Sequence, residues 1–273
     1  MVTFPNAKIN IGLQIPEKRS DGFHTIKSVF YPIGLKDSLE LVKNGSQEGI
    51  ELSSSGIPVG CEPKSNLCAK AYHLIGKDYP LPGVNVHLMK NIPVGAGLGG
   101  GSSDGAFFIR LLNEELELGL SWGEMHHYAK QLGSDCSFFV TNRPAFVEGK
   151  GDEMESISLN LNQYFLVLVC PPIHISTGEA YSRVKPEPTE LDLETYLLEN
   201  SPEAWRNVVV NDFEKSIFPL YPEIGLIKQK LYDNGALYAS MSGSGSAVYG
   251  IYQKPVSLVS EFPACFVWEG ALA

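Results

Sequence analysis

The sequence has few cysteines and a deficit of positive charge, and each feature argues against a class of protein. Its 273 residues include five cysteines, Cys61, Cys68, Cys136, Cys170 and Cys265. Their odd number and wide spacing disfavour a disulfide framework and a zinc ribbon, and favour a reducing compartment. Lys and Arg number 21 against 31 Asp and Glu, a net charge of −10. We therefore expect no binding of nucleic acid or an anionic membrane by the chain as a whole, and local groups must bind any anionic ligand.

The sequence also lacks long hydrophobic runs. No stretch approaches the roughly 18 consecutive apolar residues of a membrane span, and the first residues lack the basic and apolar regions of a signal peptide. We therefore expect a cytoplasmic protein that does not interact with membranes. The length corresponds to one large or two modest domains, with enough chain for a proper hydrophobic core.

Periodicity predicts a mixture of strands and helices. Apolar and polar residues alternate over 7–15, which indicates a half-buried strand with Lys8 and Asn10 on its polar face. Further strands are predicted within 26–42 (with a turn at 34–37) and at 84–90, 144–148, 164–170, 235–252 (two strands joined by a turn at 242–246) and 264–268. Helices are predicted at 66–76, from Ser102 or Ser103 to about 118, from Ser121 to Gly133, and over 203–216 and 222–233. Ser121 and Glu124 have the spacing of a capping box at the start of the third of these. Polar residues at 153–163 separate two strand-rich halves, which predicts domains at 1–155 and 156–273.

The most informative motif is a glycine-rich run at 95–101 that leads into a predicted helix. Glycines let the backbone approach a ligand closely, and the first N–H groups of a helix bind anions without adding net charge. The spacing of Gly95, Gly97 and Gly100 also fits a dinucleotide fingerprint, but a helix follows where that fold needs an acidic strand end. The Gly-x-Ser-x-Gly pattern around Ser103 lacks the preceding strand of a hydrolase elbow. A phosphate loop is therefore favoured over these matches and over a flexible surface turn.

The remaining motifs are weak when taken alone. Ser242-Gly-Ser-Gly-Ser246 is typical of a hairpin turn or of close backbone approach. Asp135 follows a Gly-Ser turn, where Asp is most often a helix N-cap, and a lysine on a strand, such as Lys8, is most often solvated.

Together these segments resemble the GHMP kinase superfamily, from residue 5 to about 252 and in the family's order. The segments that carry the resemblance are Pro5-Asn-Ala-Lys-Ile-Asn10, Arg19-Ser-Asp-Gly-Phe-His-Thr25, residues 93–104, Gly133-Ser-Asp-Cys136, Phe146-Val-Glu-Gly-Lys-Gly151, Asn211-Asp-Phe-Glu214 and Met241-Ser-Gly-Ser-Gly-Ser246. The resemblance implies an α+β, two-domain GHMP kinase-like fold. Its N-terminal domain would be like ribosomal protein S5 domain 2, and its C-terminal domain would be ferredoxin-like.

The resemblance also implies an ATP site. The residues expected to bind ATP are Pro93, Gly95, Gly97, Leu98, Gly99, Gly100, Gly101, Ser102 and Ser103, with Asn66 and Lys90 at the adenine end. Mg²⁺ is expected with ATP, held mainly through phosphates and water, and no protein ligand is identified for it. Asp135 would face the hydroxyl that accepts the phosphoryl group, and Lys8 would lie beside it.

The resemblance carried by the segment around Asp21 implies an acceptor with a cytidine diphosphate head, phosphorylated at the 2-hydroxyl of a methylerythritol in non-mevalonate isoprenoid synthesis. The residues expected to bind this substrate are Asn10, Phe23, His24, Thr177 and Tyr181. Phe23 and Tyr181 would sandwich the cytosine, although the family often has Tyr at position 23. A GHMP-type kinase of the homoserine or mevalonate class, and a non-catalytic nucleotide-binding protein of the same fold, remain as alternatives.

We expect the protein to be a monomer or a weak homodimer. No role is predicted for Lys150 or for the acidic segment 185–203.

Overall fold

A computed structural model describes residues 1–45, 48–60 and 62–272. Cys61 lies outside these residues, so the prediction that the cysteines form no disulfide framework or zinc ribbon stays untested for it. The cysteines that are described are free thiols, namely Cys68, Cys136, Cys170 and Cys265.

Within the described residues, the strands form three four-stranded sheets. Their bounds are β1 (Val2–Thr3), β2 (Asn6–Lys18), β3 (His24–Lys36), β4 (Ser38–Lys43), β5 (Ile50–Gly56), β6 (Val84–Lys90), β7 (Ala145–Glu148), β8 (Glu153–Ser156), β9 (Phe165–Cys170), β10 (Tyr238–Met241), β11 (Val248–Tyr252) and β12 (Phe266–Ala271). The first sheet has the order β1-β4-β6-β5, the second β2-β3-β7-β8 and the third β10-β11-β9-β12. The first is antiparallel except for the parallel pair β5 and β6, whereas the third is antiparallel throughout.

In the described part of the chain, α-helices of nine residues or more lie within 67–132 and at 222–233, and the other α-helices have seven residues or fewer. Their bounds are α1 (Leu67–Ile75), α2 (Gly100–Glu115), α3 (Trp122–Leu132), α4 (Cys136–Thr141), α5 (Thr177–Arg183), α6 (Leu193–Glu199), α7 (Pro202–Trp205), α8 (Glu214–Ile217) and α9 (Pro222–Asp233). The predicted capping box at the start of α3 is present. The Ser121 hydroxyl accepts from the amide of Glu124, whose carboxylate accepts from the amide of Ser121.

The chain divides into two compact units, each made of several segments. The first unit comprises Met1–Ala7, Leu35–Val94 and Gly99–Asn142, and the second comprises Lys8–Gly34, Gly95–Leu98 and Arg143–Ala273. The first unit contains the first sheet, with α1 and α2 packed against it. The second contains one core shared by β2, β9, β11 and the helices α8 and α9. The predicted consecutive domains 1–155 and 156–273 stay a prediction.

Three local expectations were wrong. The strand at 7–15 is buried on both faces, since Lys8, Asn10 and Gln14 are as buried as their apolar neighbours. Helix α2 begins at Gly100, with Gly99 rather than a serine as its N-cap residue. The predicted helix over 203–216 is two single turns, α7 and α8, because Asn207 has a left-handed φ of 67° that interrupts it.

Candidate active site

The glycine-rich segment Gly95–Leu98 is held within the second unit by its neighbours on two sides. The amide of Lys8 donates to the carbonyl of Leu98 at 3.0 Å, and the amide of Ala247 donates to that of Ala96 at 3.2 Å. The Ser242 hydroxyl donates to the Gly97 carbonyl at 2.8 Å. Gly97 has a φ of +80°, and a Cβ there would lie 2.0 Å from the Ser242 carbonyl oxygen. Only glycine therefore fits at this point of the loop.

The glycines that follow form the start of α2 in the first unit. Gly99 adopts a left-handed conformation, with φ of 68°, directly before the helix. The amide of Ser103 bonds back to the Gly99 carbonyl at 2.9 Å. The N–H groups that precede it in the first turn have no carbonyl one turn earlier to bond. The Ser103 hydroxyl is buried and has no hydrogen-bond partner. This helix start therefore has the donor geometry of an anion site.

Lys8 and Asn10 lie in a buried polar network on β2. The Lys8 Nζ donates to the Asn10 Oδ1 at 2.6 Å and lies 4.2 Å from the centroid of the Phe30 ring. The Asn10 Nδ2 donates to the Ser28 hydroxyl at 2.9 Å, which in turn donates to the Gly12 carbonyl at 2.6 Å. The two side chains therefore have fixed orientations, as a reacting group requires.

The late Gly-Ser turn joins this network. The Asn10 amide donates to the Ser242 hydroxyl at 3.2 Å, so Ser242 connects β2 to Gly97. The Asn211 Nδ2 donates to the carbonyls of Met241 and Gly243, both at 2.8 Å, and fixes the turn itself. The turn at 242–246 therefore has a structural task beyond joining β10 and β11.

Four aromatic or basic side chains lie near the start of β3. Phe23 is 58% exposed, and the Lys150 Nζ lies 5.0 Å from the centroid of its ring. The rings of His24 and Tyr181 stack on each other, with centroids 5.0 Å apart and planes at 22°. Burial and the Lys18 charge lower the pKa of His24, which favours the neutral imidazole at neutral pH. Thr177 is exposed in the first turn of α5, one turn before Tyr181.

Asp135 and Asn66 begin helices of the first unit. Asp135 is at the N-cap position of α4, but its side chain makes no capping bond, and the Ser134 hydroxyl donates to its Oδ1 at 3.4 Å. Asn66 caps α1, since its Oδ1 accepts from the Cys68 amide at 2.9 Å.

Lys90 lies inside the first unit, paired with two carboxylates. Its Nζ donates to the carboxylate of Asp37 and, at 2.7 Å, to the Oδ2 of Asp104. Burial alone would lower the pKa of Lys90, but the two carboxylates outweigh it and raise that pKa. Burial raises the pKa of Asp104 to about 8, aided by the Asp37 charge and opposed by Lys90.

The structure thus brings several predicted site residues into contact inside each unit. In the second unit Lys8 contacts Asn10, and His24 contacts Tyr181. Sequence reasoning missed the polar residues that hold these side chains in place. Ser28 bonds Asn10, and Asp37 and Asp104 bond Lys90. A signal for Asp104 was present, since a carboxylate next to the apolar stripe of a predicted helix needs a partner.

The described residues include no helix long and apolar enough to cross a membrane.

Family models and relatives match this chain over most of its length. The model of the GHMP kinases N terminal domain matches residues 66–143, and that of the GHMP kinases C terminal matches residues 193–265. A 4-diphosphocytidyl-2-C-methyl-D-erythritol kinase of Azobacteroides pseudotrichonymphae is 51% identical over 96% of this chain and 97% of its own. One of Bacteroides fragilis is 46% identical over 100% of both chains.

Solved structures of GHMP-type kinases also superpose on this chain. A crystal structure of a 4-(cytidine 5'-diphospho)-2C-methyl-D-erythritol kinase superposes with a TM-score of 0.87 at 28% identity, covering 99% of this chain and 98% of that one. The mevalonate kinase of Methanococcus jannaschii has a TM-score of 0.73 at 14% identity over 100% and 98% of the two chains, which shows a common fold alone.

The α+β GHMP kinase fold is therefore confirmed, and the protein is an ATP-dependent small-molecule kinase. More particularly, the chain belongs to the family of the 4-diphosphocytidyl-2-C-methyl-D-erythritol kinases.

Proposed function

We propose that this enzyme transfers the γ-phosphoryl group of ATP to the 2-hydroxyl of 4-diphosphocytidyl-2-C-methyl-D-erythritol, giving the 2-phosphate and ADP in non-mevalonate isoprenoid precursor synthesis. The observation that carries the proposal is the high identity, over the whole chain, to kinases named for this substrate. The homoserine and mevalonate kinases share only the fold, and no observation favours either activity here.

The glycine-rich loop is the proposed site of the ATP phosphates. Residues 95–98 are glycine-rich and anchored, and the first N–H groups of α2 are donors without intrahelical partners. Phosphate oxygens satisfy such donors, and the helix dipole favours their charge. In a chain of net charge −10, backbone donors also bind the anion without a cluster of cations. The adenine-end roles of Asn66 and Lys90 stay predictions.

Asp135 and Lys8 are the proposed catalytic residues. A carboxylate such as Asp135 orients the acceptor hydroxyl and takes its proton as the phosphoryl group is transferred. An ammonium such as Lys8 stabilises negative charge on the transferred group. The Lys8 ammonium is held in one orientation by Asn10, so little reorganisation is needed during the reaction.

The cluster near the start of β3 is the proposed cytidine site. The exposed ring of Phe23 offers a stacking surface for cytosine that is worth about 1–3 kcal/mol. Tyr181, whose ring is stacked on His24, stays the predicted second ring of the sandwich. The His24 imidazole is a donor and an acceptor in its neutral form, which suits the base edge. Asn10 and Thr177 are proposed as further polar contacts of this substrate.

Mg²⁺ is proposed to accompany ATP, bound by phosphate oxygens and water. The described residues contain no cluster of three or more His, Cys, Asp or Glu side chains that fits a metal ion. No side chain is named as a ligand of the ion. Cytoplasmic location and a monomeric or weakly dimeric state stay predictions.

An ADP-release assay with a panel of alcohols tests the proposed activity. We expect turnover with 4-diphosphocytidyl-2-C-methyl-D-erythritol and none with homoserine or mevalonate, and we expect CMP and CDP to compete with the acceptor. Turnover of homoserine or mevalonate without inhibition by cytidine nucleotides would overturn the assignment.

Asp135→Asn tests the proposed chemistry. This change removes the proton acceptor, so kcat should fall by about a hundredfold or more, while the Kd of ATP measured by calorimetry stays close to that of the wild type. Asp233→Asn, an exposed position at the end of α9, is the matched control and should change neither value. An undiminished kcat for Asp135→Asn would remove this carboxylate from the mechanism.

A further inference from the structure

Lys90 is a buried side chain of the first unit that connects the β3–β4 junction to helix α2. The side chain is 2% exposed and belongs to the last residue of β6. Its ammonium bonds Asp37, between β3 and β4, and Asp104, in the first turns of α2. Asp37 is held in turn by the amides of Asn91 and Ile92, which donate to its Oδ1 at 2.6 and 2.9 Å. The connection from the first sheet to α2 is therefore continuous through Lys90.

The ammonium lies directly against the first residue of α2. A Cβ built on Gly100 would lie 3.3 Å from the Lys90 Nζ and 2.9 Å from the Cγ2 of Ile92. The helix start thus packs on Lys90 and on the segment that Asp37 holds. A shift of the Lys90 side chain would move the helix start, because interiors are close-packed and transmit small displacements.

We propose that Lys90 is a positioning residue that ties Asp37 to Asp104 and so fixes the first turn of α2 for the phosphates of ATP. This inference rests on the proposed function, since it takes that turn as the phosphate site. Lys90 would act on ATP through the helix and through the charge of the Lys90–Asp37–Asp104 triad.

The charge of the triad gives the proposal a second consequence. The Oδ1 of Asp104 is buried without a hydrogen-bond partner, an arrangement that disfavours the ionised carboxylate. The groups that face Asp104 are Lys90, Asp37 and the Cys68 thiol, which burial keeps protonated by raising its pKa. With its pKa near 8, Asp104 holds a proton at neutral pH, and the triad is then neutral. Ionisation above pH 8 gives it a net negative charge beneath the proposed phosphate site.

Lys90→Met tests the positioning role, with Lys43→Met as its control. Lys43 is the exposed last residue of the neighbouring strand β4, so the same substitution there removes a charge without touching the triad. For Lys90→Met we expect the KM and the Kd of ATP to rise about tenfold or more, while the KM of the acceptor stays within about twofold. Lys43→Met should leave all three values unchanged.

A purely structural role for Lys90 predicts a different result. In that case Lys90→Met would lower the free energy of unfolding, yet the folded protein, assayed well below its melting temperature, would bind ATP as tightly as the wild type. That outcome overturns the proposal.

Asp104→Asn provides a second test that keeps the shape of the side chain, for use if Lys90→Met fails to fold. In the wild type we expect the KM of ATP to rise by about fivefold or more between pH 7 and pH 9, since ionised Asp104 repels the phosphates. In Asp104→Asn this rise should be absent, because the amide does not titrate. Equal pH profiles for the two proteins would contradict the proposal.

Loss of the proposed activity and loss of the positioning role give different experimental results. If the wild type phosphorylates no alcohol of the panel, the proposed function fails, but calorimetric Kd values for ATP still test the role of Lys90. If the wild type is active and the Lys90→Met and Asp104→Asn results match the structural role, only the positioning proposal fails.

Discussion

Phe23 offers a test of substrate recognition at the scale of one residue. Its ring is largely exposed, so truncation removes little packing and should change the free energy of unfolding by no more than about 0.5 kcal/mol. If the ring stacks on cytosine, Phe23→Ala should raise the KM of the cytidine substrate by about 5- to 150-fold, the equivalent of about 1–3 kcal/mol. The KM of ATP should not change.

A second exposed phenylalanine provides the control for this measurement. Phe4 is 54% exposed, close to the exposure of Phe23, and lies between β1 and β2. Steady-state kinetics of Phe4→Ala should match those of the wild type. An unchanged KM in Phe23→Ala would show that cytosine does not stack on this ring.

At the scale of the residue, the sequence indicated which residues belong to the candidate site better than it indicated how buried they are. The motifs picked out Lys8 and Asn10, but the alternation on β2 predicted a solvated polar face. The structure buries that face because Ser28, from the adjacent strand, completes its hydrogen bonds. Such partners are distant in sequence or follow no local pattern, so a period-two reading cannot find them. The same reason hid the pairing of Lys90 with Asp37 and Asp104.

At the scale of the element, Gly97→Ala tests the phosphate loop, and Gly119→Ala, outside the loop, is its control. Gly119 has a φ of +73°, and a Cβ built there would have no neighbour within 4 Å. Gly119→Ala should therefore lower the free energy of unfolding by about 1–2 kcal/mol, the penalty of a left-handed backbone. Gly97→Ala should add about 1–3 kcal/mol for overpacking against the Ser242 carbonyl and should weaken ATP binding. Denaturant unfolding and calorimetry measure both effects. Equal unfolding energies and equal Kd values for ATP in the two variants would contradict this account of the loop.

Elements were predicted well where local signals were strong. Alternation predicted β6, the serine and glutamate of the capping box predicted α3, and the small-residue turn at 242–246 joins two strands as expected. The start of α2 was missed because a left-handed Gly99 takes the N-cap position that Ser102 or Ser103 was expected to hold. The segment after α7 was missed because Asn211 and Asp212 bond distant backbone, including the amide of Ile15, in place of continuing a helix.

At the scale of the whole molecule, Asp104 predicts how stability depends on pH. Its pKa rises from the ordinary 3.8 to about 8 on folding, so the folded state binds more protons between these values. The stability that neutral Asp104 contributes is complete below pH 3.8 and is lost as pH rises through 8. Relative to Asp104→Asn, the free energy of unfolding of the wild type should fall between pH 5 and pH 8 by at most about 1.4 kcal/mol per pH unit.

Urea unfolding curves of both proteins over this pH range provide the measurement. Parallel pH dependences in wild type and Asp104→Asn would show that Asp104 titrates at its ordinary pKa in the folded protein.

The order of motifs along the chain was enough to predict the family and the fold class, both confirmed by the comparisons. The division into compact units was beyond the sequence. Residues 8–34 pack with a core built from residues after 160, and such pairing follows from surfaces that form only when distant strands and helices meet.

The anchors of Gly97 also bear on how the enzyme is made. Ser242 follows Gly97 by 145 residues and Asn10 by 232, so a growing chain carries its glycine-rich segment long before the serine that holds it has been synthesised. That segment acquires its final conformation only after Ser242 has been synthesised and has left the ribosome. A product that terminates before Ser242 would contain the motif without the contacts that hold it.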